Sequence, residues 1–83
     1  MRVYEVHRDP RLDLRALLQA AVRAYYGRHR RVPPEVVVHK TLTGEARQAL
    51  DVLDLRSTKV RGLGGCSVGE VWLLRDFTAG GAG

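Results

Sequence analysis

The stretch Val32-Pro33-Pro34-Glu35-Val36-Val37-Val38-His39-Lys40-Thr41-Leu42-Thr43 decides how the rest of this 83-residue chain is arranged. Three consecutive β-branched valines, stiff at χ1 and too few for a helix, predict a strand. The run does not alternate with polar residues, so burial on both faces is expected. Pro33 and Pro34 stop whatever precedes them by forcing Val32 away from helical angles. Thr43 is the expected N-cap of a following helix, with Glu45 in the first turn, where a carboxylate meets the positive end of the helix dipole.

Toward the N-terminus, Arg2 to Arg8 alternate as a strand, with Tyr4 and Val6 assigned to the helix-covered face and Val3, Glu5 and His7 to the other. Asp9-Pro10 predicts a helix start, because the aspartate can cap an orphan amide and proline has none to leave unpaired. That helix is expected to reach about Gly27, with Leu14, Leu17, Leu18, Ala21 and Tyr25 on its apolar side and Arg11, Arg15, Gln19 and Arg23 on the opposite side. Toward the C-terminus, a short helix is expected over Gly44 to Leu53. A hairpin should follow, with arms at Lys59 to Leu63 and Ser67 to Arg75 joined by Gly64-Gly65-Cys66.

The expected fold is a small two-layer α/β sandwich of order β-α-β-α-β-β. It comprises a mixed sheet, two helices on one face and a C-terminal β-hairpin. Parallel first and second strands are expected side by side, with an edge position for the first strand as the alternative. Residues 1–77 make one domain, and the Gly/Ala-rich residues 78–83 are expected to form a flexible tail.

The formal net charge is +5, and only Lys40 and Lys59 among the 14 basic residues are lysine. With Asn and Ile absent, this composition suits a GC-rich, thermophilic prokaryote. A single cysteine, Cys66, excludes an internal disulfide and a multi-cysteine zinc site. Neither a signal peptide nor a span of about 18 apolar residues is evident, so a cytoplasmic location without membrane contact is expected. A chain this short buries only about 60% of its unfolded surface, which favours a homo-oligomer, a dimer first.

Three groups of residues stand out as candidate sites. Both early strands end in Val-His-cation, and ligands of open α/β sheets favour that edge; His7, Arg8, His39, Lys40, Thr41 and Thr43 would suit an anion such as phosphate or carboxylate. The strand parity places Val3, Glu5, Val37, Val68, Glu70 and Trp72 on an uncovered face, too apolar for water and too polar for a core, as at a homodimer interface or in a ligand groove. Finally, Arg15, Arg23, Arg28, Arg30 and Arg31 form a basic stripe able to neutralise nucleic-acid phosphates.

Neither a cofactor nor a bound metal is expected. The glycine-rich segment from Arg61 to Gly69 lacks the Gly-Lys-Ser/Thr ending of a phosphate loop and reads as turn glycines. The segment from Tyr25-Tyr26 through Arg28-His29-Arg30-Arg31-Val32-Pro33-Pro34-Glu35-Val36-Val37-Val38-His39-Lys40-Thr41 resembles a short helix-to-strand piece of the PIWI domains of Argonaute proteins. It covers under a quarter of the chain, and the catalytic carboxylates and guide-binding parts of that family have no counterpart here, so the resemblance implies no function. The sequence points to a non-catalytic binding or interaction module. The alternatives are a basic nucleic-acid-binding accessory protein and a small metal-dependent or histidine-based hydrolase centred on His7, His39 and Glu70.

Overall fold

The computed structural model describes residues 2–77 of the chain. In order, the elements are β1 (Arg2–Arg8), α1 (Leu14–His29), β2 (Glu35–His39), a 3₁₀ turn (Lys40–Leu42), α2 (Thr43–Val52), β3 (Lys59–Leu63) and β4 (Glu70–Phe77). This is the β-α-β-α-β-β order read from the sequence, built as a four-stranded mixed sheet with two helices packed on it. The expected tail at 78–83 lies outside the described residues.

The strands run in the order β1-β4-β2-β3. β4 is antiparallel to both β1 and β2, and β3 is parallel to β2. The expected C-terminal hairpin is therefore corrected: β4 does not pair with β3 but crosses the end of β2 and inserts between β2 and β1. β1 takes the edge position that the sequence left as its alternative. The insertion follows from composition. β4 carries Val71, Leu73 and Leu74, which a central position buries, whereas the edges fall to β1 with Arg2 and Arg8 and to β3 with Lys59 and Arg61. Charged edge strands resist pairing with further chains.

β2 is buried along Val36, Val37 and Val38, as a non-alternating run requires. Val36 and Val38, with Val71 and Leu73 of β4, meet Leu14, Leu17, Leu18, Ala21 and Tyr25 of α1 and Ala46, Ala49 and Leu50 of α2 in one cluster. Gly62 of β3 is required there, because a Cβ would lie 2.5 Å from Thr43 Cγ2 and 2.9 Å from Lys40 Cα.

Helix boundaries depart from the sequence reading by about a turn. Asp13, not Asp9, caps α1, its carboxylate accepting from the Ala16 amide at 2.8 Å. Asp9 instead accepts from the Arg11 amide, while its own amide donates to Gly69 O, which holds it at the end of the sheet. α1 passes Gly27 and stops at Arg30, a left-handed residue with φ 57°. Thr43 is the first residue of α2 and not its cap; the preceding turn is capped by His39, whose Nδ1 accepts from the Thr41 amide.

Candidate functional site

Residues paired across an antiparallel ladder share a face. Glu5 pairs with Leu73 and His7 with Val71, both on the helix side, whereas Val6 pairs with Trp72. Val3, Glu5 and His7 therefore face the helices, and Arg2, Tyr4, Val6 and Arg8 face the uncovered side. This inverts the expected parity of β1, while that of β2 and β4 stands. The cause is the basic end of α1: Arg28 donates to Glu5 Oε1, and His29 Nε2 lies 2.7 Å from Glu5 Oε2. Burial acts to raise the Glu5 carboxyl, but the bonds from Arg28 and His29 outweigh it and hold the group below its ordinary value.

With β1 so placed, the uncovered face has a built centre. The Tyr4 and Trp72 rings lie 6.0 Å apart at their centroids, inclined at 52°. Tyr4 donates its hydroxyl to Glu35 Oε1 at 2.6 Å, and Arg2 Nη1 lies 2.9 Å from both oxygens of the same carboxylate. Burial works to raise the Glu35 carboxyl, and the bonds from Tyr4 and then Arg2 reverse that, leaving it lowered. The Glu70 carboxylate accepts from the Ser67 amide at 2.8 Å and interacts with the Trp72 side chain; its pKa is lowered chiefly by that backbone bond. The Tyr4 ring is thus tied to a carboxylate held on the sheet, and the Trp72 ring stands beside it with Glu70 two residues away on the same face.

Val37 and Leu74 lie buried on this side, outside the helix-side cluster, and Val6 stands 58% exposed. Arg8 on β1 and Lys59 and Arg61 on β3 are exposed along the two edges. Among the described residues, no element covers this face.

Cys66 belongs to the same side. Its thiol lies 3.7 Å from Val37 O and 3.5 Å from Glu70 O, next to the short β2–β4 ladder of Val36–Leu73 and Val37–Trp72. Burial, with Glu70 nearby, pushes this thiol up to about 11, so it has little thiolate to act as a nucleophile.

The anion set does not converge. His7 points to the helices and His39 to the opposite face, with β4 between their strands. The edge where the strands end holds a cleft of about 410 Å³ lined by Leu12, Leu14, Leu17, Leu42 and Val68, with Asp13 and Glu45 at the helix starts. Apolar walls and two carboxylates oppose an anion there. Among the described residues, no group of three or more His, Cys, Asp or Glu side chains could hold a metal ion.

Of the interface set, Trp72 and Glu70 lie on the uncovered face, Val37 is buried beneath it, Val68 lines the cleft, and Val3 and Glu5 face the helices. The basic set also divides. Arg28 is spent on Glu5, and Arg31 donates to Arg75 O. That carbonyl lies at the β1–β4 bulge, where Tyr25 likewise donates to Leu74 O at 2.9 Å. Arg15, Arg23 and Arg30 remain exposed on α1 and its cap.

Sequence reasoning missed Tyr4, Arg2 and Glu35 as one network. The signal was present: cations at 28 to 31 needed a carboxylate, and Glu5 could reach them only by facing α1. The chain matches no protein-family model, and no curated protein or solved structure is significantly similar to it. No described helix is long and apolar enough to cross a membrane.

Proposed function

We propose that the protein is a non-catalytic binding module whose working surface is the uncovered face of its sheet. The observation that supports this is the Tyr4–Trp72 ring pair on an open face, both rings half-buried and Tyr4 fixed by the Glu35 carboxylate. Rigid aromatic side chains offer contact area at low entropic cost, and a face that orders them without covering them is prepared for a partner. A nucleophile, a base and an acid do not meet there. The Glu35 carboxylate is engaged in holding Tyr4, and the thiol is buried.

Trp72 is the single tryptophan of the chain, so its fluorescence reports occupancy of this face directly. The test is acrylamide quenching of Trp72 as protein concentration is raised, and again as single-stranded and duplex oligonucleotides are added. Protection in any series, abolished by Val6→Glu, supports the face as the working surface. Quenching unchanged throughout, or protection that Val6→Glu leaves intact, sinks the reading.

A further inference from the structure

Resting on that reading, we infer that the occupant of the face is single-stranded nucleic acid, stacked on Tyr4 and Trp72 and held by cations on the edge strands. The argument begins with where charge lies. On this face β1 contributes Arg8, with Arg2 bound to Glu35, and β3 contributes Lys59 and Arg61, so both edges are cationic. The acids occupy the inner strands and are already engaged. Glu35 is bonded by Arg2 and Tyr4, and Glu70 by the Ser67 amide. The centre is therefore aromatic, with Glu35 neutralised by Arg2 and Glu70 held by a backbone amide, and the rim is positive.

A partner complementary to this arrangement is negative along its length and carries flat, uncharged rings. A nucleic-acid strand with unpaired bases has that chemistry, because every base presents a π-face for stacking and every linkage a phosphate. The sheet is four strands wide, about 14 Å from β1 to β3 at the usual strand spacing, which accommodates the two or so bases that sheet platforms stack. A duplex hides its base faces and would meet only the rim.

A second copy of the chain fits less well. Two-fold packing of this face on itself with the strands aligned lays each cationic edge over a cationic edge. The nearest acids are already bonded, Glu35 to Tyr4 and Arg2 and Glu70 to the Ser67 amide. The basic residues first suspected, on α1, are not what places the strand here. Arg28 and Arg31 are bound within the fold, and Arg15 and Arg23 belong to the helical layer on the other side.

The experiment is fluorescence anisotropy of labelled oligo(dT) and oligo(U), with a duplex of equal length, at low salt and then rising salt. Binding of single strands in preference to duplex is expected, accompanied by a change in Trp72 emission. Trp72→Ala and Tyr4→Leu should each weaken it about tenfold or more, the size of one lost stacking contact. Because either could disturb the Glu35 bonds and the packing of the rings, Val6→Glu provides a variant at an exposed position that places a negative charge directly opposite Trp72 and should abolish binding.

Lys59→Ala with Arg61→Ala should lower the salt dependence by about 1.4 in the log–log slope. Absence of single-strand binding at low salt, or equal binding of duplex, overturns the inference. Concentration-dependent dimers that Val6→Glu dissolves, without oligonucleotide binding, overturn this inference while keeping the face as the working surface. Binding that tolerates Val6→Glu and is lost with Arg23→Ser and Arg30→Ser overturns both.

Discussion

The two faces of this sheet are built from neighbouring residues of the same strands, yet they are stabilised differently. On the helix side, Val36, Val38, Val71 and Leu73 meet Leu14, Leu17, Leu18, Ala21 and Tyr25 of α1 and Ala46, Ala49 and Leu50 of α2, and β1 sends His7 and Glu5 to the same side, Glu5 met by Arg28 and His29. On the other side, Val37, Leu74 and Cys66 are sealed without a helix, beside the Tyr4–Trp72 ring pair, whose Tyr4 hydroxyl is anchored by Glu35. The first face is a core and nothing more. The second buries a thin apolar layer and leaves rings, Val6 and cations outward, and on this arrangement the proposed binding surface rests.

The largest effect expected from this contrast is on stability. Leu18→Ala, in the middle of α1, should cost about 3–5 kcal/mol in urea unfolding, since the helix layer cannot collapse into the void. Leu74→Ala, under the thin layer, should fall near the lower end, about 2 kcal/mol, because Tyr4 and Arg2 can settle inward. Equal costs would mean that both faces are packed alike and would break the comparison.

Next comes Glu35→Gln, expected to cost about 1–3 kcal/mol at neutral pH by leaving the Arg2 and Tyr4 bonds without their charged acceptor. Its pH dependence has a definite sign. The folded carboxyl sits below its ordinary value of 4.5, so its contribution is present above that pH and disappears as pH falls from there through the lower folded value. Urea midpoints measured from neutral to acid pH should fall less steeply in Glu35→Gln than in the wild type. Parallel curves would show that Glu35 is not held as described. Glu5 contributes with the same sign, so a residual acid slope should persist and be reduced further by Glu5→Gln.

A kinetic difference should accompany these. With its thiol raised to about 11 and buried, Cys66 should react with a thiol reagent at mildly alkaline pH only as fast as the structure opens, and at the rate of a free thiol once urea is added. Rapid labelling of the folded protein would place Cys66 at an open surface and remove the layer from beneath the rings. The smallest effect is expected at Val6, where Val6→Thr should leave stability within about 0.5 kcal/mol, because the side chain is largely in solvent. A substantial loss would mean that the face is packed against something in the free protein.

Much of this was legible in residue order. The element sequence, the bounds of β1 and β3, the apolar stripe of α1 and the two-sided burial of β2 follow from local patterns, because χ1 stiffness, helical spacing and proline act over a few residues. That the edge-directed anion set would not converge was not legible. His7 and His39 share a sequence context, but side chains alternate on a strand, and one residue of phase sends them to opposite faces.

Strand order and β1 parity belong to the tertiary structure alone. Both faces of Arg2–Arg8 mix apolar and polar residues, so alternation is satisfied either way. What selects one is Glu5 meeting Arg28 and His29, more than twenty positions later. Likewise, a glycine-rich turn allows β4 to pair with β3 or to cross β2, and the burial available between β1 and β2 decides. Periodicity determined which residues form strands and which side chains alternate. Only packing chose the face on which each alternate set would lie, because a two-residue repeat carries no sign until a charged partner from another element supplies it.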